Sequence, residues 1–122
     1  MRGSIQKAVL LVEDNTDARE LLSAILQQHG IDVMEATDGI DALEKMLKRC
    51  PDLILTDLRM PNMNGLELAK YIRASDAYGH IPIILISATL PFVRKDHPEI
   101  TVFVQKPLLI ASLIPTIKDL LL

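Results

Sequence analysis

The chain has no tryptophan, two phenylalanines, two tyrosines and a single cysteine among its 122 residues. A lone cysteine, Cys50, rules out an intrachain disulfide, and its place just before Pro51 at a helix end suits a bystander thiol rather than a nucleophile. The three histidines, His29, His80 and His97, stand apart with no ligand-like spacing, so a zinc centre is not expected. Basic residues number 13 against 16 acidic ones, and no run of Lys or Arg would track a phosphate backbone. Direct nucleic-acid binding is thereby disfavoured. No apolar run approaches the roughly 20 residues needed to span a bilayer, and the start lacks the apolar core of a signal peptide. The expectation is a cytoplasmic protein with no membrane partner.

What is present suits one compact domain. The composition is 49% hydrophobic and 24% charged, enough to fill a core built from Leu, Ile, Val and Ala. Met1-Arg2-Gly3-Ser4 reads as an expression-vector leader, which leaves 5–122 as the domain. Apolar runs alternate with amphipathic stretches: a strand over 8–12, a helix to 29, a strand over 31–36 and a helix to about 49. In the first helix Ala18, Leu21, Leu22 and Ile25 form one apolar stripe, with Gly30 as its stop. Ala42, Leu43, Met46 and Leu47 repeat the pattern in the second. The runs at 53–55 and 81–86 are almost wholly apolar, as parallel strands covered on both faces require. Between them Leu66, Leu68, Ala69 and Ile72 mark a third helix opened by Asn64-Gly65, and 102–104 is a fifth strand.

Two stretches are irregular. Pro91 and Pro98 confine a fourth helix to a short piece between them. A last helix over about 110–121 carries Pro115, which predicts a kink or a late start. The alternation implies a doubly wound parallel α/β sheet with right-handed crossovers.

In such sheets ligands bind at the carboxyl ends of the strands. The first strand ends in Glu13-Asp14, the third in Asp57, the fourth in Ser87 and the fifth in Lys106-Pro107. Like charges about 4 Å apart repel by about 4 kcal/mol at an effective dielectric near 20, so Glu13, Asp14 and Asp57 together call for a counter-cation. Hard carboxylate oxygens select magnesium, which leaves coordination positions for phosphate oxygens. Lys106 would offset charge on those oxygens and Ser87 could donate a hydrogen bond to one of them.

The pieces Leu11-Val12-Glu13-Asp14-Asn15, Ala36-Thr37-Asp38-Gly39 with Ala42-Leu43, Asp52 through Pro61 with Met63 and Gly65, Ile86-Ser87-Ala88 and Lys106-Pro107 run in order from about residue 8 to the end. In these pieces the chain resembles the receiver domain of two-component response regulators, the chemotaxis response regulator among them. The resemblance implies a flavodoxin-like (βα)5 sheet of order 2-1-3-4-5, here with a shortened fourth helix. It implies Asp57 as phosphoacceptor, with magnesium or manganese held by the Asp14 and Asp57 side chains and the Arg59 carbonyl, and by Glu13 through a bound water. It also implies Ser87 and Lys106 as partners of the phosphoryl group, Ser87 and Phe103 as switch residues, and a cis Lys106-Pro107 bond. Arg59 and Thr89 occupy positions that influence hydrolysis in the family.

The partners so implied are a sensor histidine kinase or histidine phosphotransfer protein, and a downstream effector or output domain. With no effector domain in these 122 residues, the module is expected to act alone through a partner or within a larger regulator or hybrid kinase. Self-phosphorylation and autodephosphorylation would be its only chemistry.

Simpler roles exist for each residue. An Asp at a strand end often only caps the next helix, Ser87 could satisfy local backbone, Phe103 could be core, and Gly39 and Gly65 could serve turns. The coincidence of the acids with Lys106 weighs against that for the site as a whole. A non-phosphorylated pseudo-receiver that serves only as an interaction module is the alternative, and the presence of Asp14, Asp57 and Lys106 disfavours it. An aspartyl-phosphate phosphatase would carry Asp-x-Asp where this chain has Arg59, and no glycine-rich nucleotide loop follows any strand. The segment Asp96-His97-Pro98-Glu99-Ile100-Thr101 departs from the family pattern on the face that relatives use for docking.

Overall fold

A computed structural model describes residues 6–89 and 96–122. The leader at 1–4 and most of the short helix expected between Pro91 and Pro98 lie outside these residues. In chain order the elements are β1 (Ala8–Val12), α1 (Thr16–Gln28), β2 (Asp32–Ala36), α2 (Gly39–Lys48), β3 (Leu53–Asp57), α3 (Gly65–Ala74), β4 (Ile83–Ser87), β5 (Val102–Gln105) and α4 (Ile110–Leu120). The five strands form one sheet of order β2-β1-β3-β4-β5, parallel throughout, which is the flavodoxin-like arrangement expected.

The central strands β1, β3 and β4 are buried along their whole length, whereas β2 and β5 at the edges are half-buried. Alternate side chains point to opposite faces. Leu10, Val12, Ile54, Ile83 and Leu85 pack with Ala42, Met46, Leu68 and Ile72 of α2 and α3. Val9, Leu11, Leu53, Leu55, Ile84 and Ile86 pack on the other face with Leu22 and Leu26 of α1 and Leu113, Ile114 and Ile117 of α4. This two-faced demand is why β1, β3 and β4 read as nearly unbroken apolar runs.

The helix starts follow from side-chain caps. Asn15 accepts from Ala18 N at the head of α1, and Asp38 from Asp41 N at the head of α2. Asn64 and Glu67 form a reciprocal capping box at the head of α3. Gly30 ends α1 with φ of 78°, a left-handed conformation that glycine adopts without strain. Helix α4 starts at Ile110 and runs through Pro115, so the late start is not seen.

The helix stripes need correction. Leu22 is buried, but Ala18 and Leu21 of the predicted first stripe are exposed, and the buried line runs through Leu22, Ser23 and Leu26 instead. Leu47 of the second stripe is 80% exposed while Ala42 and Met46 are buried. A helix resting on one sheet face buries only the side that meets the strands, which is narrower than its apolar stripe.

Candidate functional site

Because the strands are parallel, their carboxyl ends open on one edge. Val12 is level with Thr56, Asp57 with Ile86, and Ser87 with Gln105. Glu13-Asp14, Asp57, Ser87 and Lys106 therefore leave the sheet side by side. The carboxylates of Glu13, Asp14 and Asp57 offer oxygens that all lie within 4.8 Å of one another. Lys106 Nζ is 2.9 Å from Asp57 Oδ1 and 3.8 Å from Glu13 Oε1. The Lys106 amide donates to the Ser87 carbonyl at 2.9 Å, and the Lys106-Pro107 peptide is cis.

The electrostatics reflect crowding of one sign. Desolvation raises the Glu13 carboxyl above its ordinary value, and the neighbouring Asp57 charge adds to this against the opposing hydrogen bond from Asn15 N. Burial would lower the Lys106 ammonium, but the hydrogen bond to Asp57 and the charges of Asp57, Glu13 and Asp14 outweigh it and hold the group protonated. Among the described residues one lysine faces the three carboxylates, which leaves negative charge uncompensated. Three hard oxygen donors in one cluster suit a magnesium-type ion, so the donor set fits the cation that the sequence implied.

The other predicted residues sit around this cluster with different attachments. Ser87 is buried, and its hydroxyl accepts from Thr89 N at 3.0 Å and donates to Thr89 O at 3.1 Å. Arg59 is exposed, its guanidinium donating to Thr89 Oγ1 at 3.5 Å across the mouth of the site. Phe103 is half-buried on β5 against the core, edge-on to His97 with ring centroids 6.4 Å apart.

Gly65 and two residues that the sequence did not single out, Arg19 and Asn62, hold the loops. Arg19 of α1 donates to the Glu13 carbonyl at 2.8 Å and to Glu35 Oε1 at 3.2 Å, which fixes the start of the acidic loop. Gly65 lies against the Asp57 backbone, where a Cβ would overlap the carbonyl oxygen. Its role is close approach rather than a turn. Asn62 in the β3–α3 loop takes φ of 67° and donates to Asp38 at 2.7 Å. Only the asparagine beside Met63 hinted at this, since Asn tolerates left-handed backbone. An apolar groove of about 650 Å³ runs from Asp57 and Lys106 along the Ala18, Leu21 and Ile25 side of α1 to Leu108 and Ile110.

The sequence profile of the response regulator receiver domain matches residues 9–118. The polar-differentiation response regulator DivK of Brucella anthropi is 31% identical over 121 residues, which span 94% of this chain and 96% of that protein. Among solved structures, the Vibrio cholerae chemotaxis protein CheY4 superimposes with a TM-score of 0.87 at 30% identity, covering 95% of this chain and 99% of that one. The Thermotoga maritima response regulator TrrA, solved in complex with Mg2+ and BeF, gives a TM-score of 0.84 at 31% identity over 94% of this chain and 99% of that one.

Proposed function

The chain belongs to the response regulator receiver domain family, and from that premise we propose that it accepts a phosphoryl group on Asp57 in a two-component phosphorelay. Receiver domains of this family are signalling modules of two-component systems. Residues 5–122 form the module in this reading, with 1–4 as a leader. The observation that carries the proposal is the meeting of three carboxylates within 4.8 Å, one of them paired to Lys106 at 2.9 Å. The Mg2+ and BeF bound by TrrA support the same reading.

A divalent cation such as Mg2+ or Mn2+, held by Glu13, Asp14, Asp57 and the Arg59 carbonyl, would neutralise charge on the phosphoryl oxygens. The Asp57 carboxylate attacks the phosphorus of a phosphohistidine on a sensor kinase or phosphotransfer protein. A P–O bond forms as the P–N bond breaks, and the imidazole nitrogen leaves with the electron pair. Lys106 shifts its ion pair from the carboxylate to a phosphoryl oxygen. Ser87 gives up its bond to Thr89 O and donates to another. Later a water attacks the phosphorus, releasing inorganic phosphate and restoring the carboxylate.

The phosphoryl group, with a charge of about −2 where the carboxylate carried −1, draws Ser87 and Lys106 inward and biases the β4 and β5 face, Phe103 included, toward a second state that an effector or output domain reads. The apolar groove beside Asp57 gives the donor protein a surface to rest on. No helix among the described residues is long and apolar enough to cross a membrane. A cytoplasmic location is part of the proposal and rests on the family assignment.

Incubation with Mg2+ and acetyl phosphate, followed by intact mass measurement, tests the proposal. One added phosphoryl mass is expected on the wild type and none on Asp57→Asn. An unmodified wild type, or an equally modified variant, would reject it.

A further inference from the structure

The loop between Asp57 and α3 is held from its far side by a helix that gives nothing to the acidic cluster. Asp38, at the head of α2, divides its two carboxylate oxygens. Oδ1 accepts from Asp41 N at 2.8 Å, which is the ordinary helix cap. Oδ2 accepts from Asn62 Nδ2 at 2.7 Å, a bond to a side chain 24 residues away that capping does not require. Asn62 is the one non-glycine residue with positive φ among the described residues, so the loop holds a conformation that costs energy unless something retains it.

The contact is reinforced next door. Gly39 N donates to the Met63 carbonyl at 3.2 Å, and the Met63 side chain fills the space in which a Cβ on Gly39 would lie. At the loop's ends Leu58 N donates to Ile86 O and Gly65 N to Leu58 O, both at 2.9 Å. The stretch 58–65 is thus tied to β4 at Leu58, closed on itself at Gly65 and pinned in its middle by α2. Hydrogen bonds from Asp41 N and Asn62 hold the Asp38 carboxyl below its ordinary value, so the acceptor is ionised at neutral pH.

We propose that Asp38 and Asn62 are positioning residues, a clasp that sets the loop bearing the Arg59 carbonyl and so tunes the affinity of the site for a divalent cation without touching it. The inference rests on the reading of Asp57 and its acidic neighbours as a magnesium-dependent phosphoacceptor site. Partners that orient metal ligands from behind typically change affinity by about 10-fold or more when removed.

The test uses the whole chain and Mg2+ alone. Asn62→Gly keeps the positive φ and deletes the amide. Asn62→Asp sets two carboxylates face to face, and the exchanged pair Asp38→Asn with Asn62→Asp restores donor to acceptor while keeping the cap. Calorimetric titration should show Mg2+ binding weakened about 10-fold in both single variants and largely recovered in the exchanged pair. Amide exchange on the metal-free protein should quicken at Gly39 and Gly65 but not at Leu10 or Ile54, which separates a loosened loop from an unfolded domain. Wild-type binding with unchanged affinity in Asn62→Gly and Asn62→Asp overturns the clasp and leaves the phosphoacceptor reading standing. A wild type that fails to bind Mg2+ rejects that reading, and the clasp's role with it.

Discussion

Gly65 packs against the carbonyl oxygen of Asp57 so closely that a methyl group at 65 would overlap it and would also come within 2.7 Å of Leu85 Cδ1. The residue is buried at the first position of α3, and the carbonyl belongs to the strand end that carries the phosphoacceptor candidate. Backbone cannot yield as a flexible side chain can. Gly65→Ala is therefore expected to cost about 1 to 3 kcal/mol, the usual range for overpacking a filled core. Urea unfolding should show the loss as a lower midpoint. Acetyl phosphate labelling should fall with it, because the strain lands on Asp57 itself; an unmoved midpoint would mean that the approach is not a constraint.

The acidic cluster should work against the stability of the metal-free protein. Burial and Asp57 raise the Glu13 carboxyl above 4.5, so the folded chain binds its proton more readily than the unfolded chain. Ionising Glu13 thus costs stability as pH rises from about 4.5 through its folded pKa. Glu13→Gln can still accept from Asn15 N. It should stabilise the metal-free protein at pH 7 by on the order of 1 kcal/mol, roughly 4 °C in Tm, with the gain fading toward pH 4. Added Mg2+ should stabilise the wild type more than the variant. A thermal melt series across pH, with and without Mg2+, checks all three statements.

Lys106 carries the opposite sign. Burial alone would lower its ammonium, but Asp57, Glu13 and Asp14 raise it above 10.5. Its contribution is complete below that pH and is lost as pH climbs through the folded pKa. Lys106→Met should lower stability by on the order of 1 kcal/mol, a modest figure because the side chain is 37% exposed and screened by solvent. The gap between wild type and variant should hold level from pH 7 to 10 and narrow in stronger alkali, read by circular dichroism melts. A gap that widened there would contradict the assigned sign.

The fold was legible because its signal is local and repeated. Apolar runs at 8–12, 53–55 and 81–86 read as strands covered on both faces, and Asn64 announced the helix after it, as the caps at Asn15 and Asp38 also do in the structure. The acidic residues and Lys106 were legible as strand tips, since parallel topology sends every tip to one edge. Helix orientation was not. Leu21 and Leu47 fit an apolar period yet lie outside, because which part of a stripe meets the sheet depends on how the helix rolls upon it. The attachments of Arg19 and Asn62 were hidden for another reason. Arg19 reaches a backbone carbonyl, and Asn62 lies 24 residues from Asp38, so neither bond leaves a mark in local sequence. The turn that engages the Ser87 hydroxyl with the Thr89 backbone is local by contrast, two residues long, and is the simple role that the sequence allowed for Ser87.

Arg19 gives the sharpest separation of structure from site. Its side chain is only 14% exposed, and its fork divides between the Glu13 carbonyl at 2.8 Å and Glu35 at 3.2 Å. Glu35 is 40% exposed, so solvent screens that pair and it contributes little. The bond to the Glu13 carbonyl is the one that matters, because that oxygen lies where β1 gives way to the acidic loop. Arg19→Ala is expected to cost about 1 to 3 kcal/mol, the penalty for leaving a sheltered acceptor unsatisfied. Arg19→Lys, with a single compact donor group in place of the planar fork, can serve one acceptor but not both and should recover only part of the loss. If the bond also fixes Glu13 and Asp14, Arg19→Ala will weaken Mg2+ binding by more than Arg19→Lys does, and both will spare the strands. Parallel urea unfolding and Mg2+ titration distinguish the outcomes. Lost stability with unchanged Mg2+ affinity would make Arg19 a fastener of α1 to the end of β1 and nothing more.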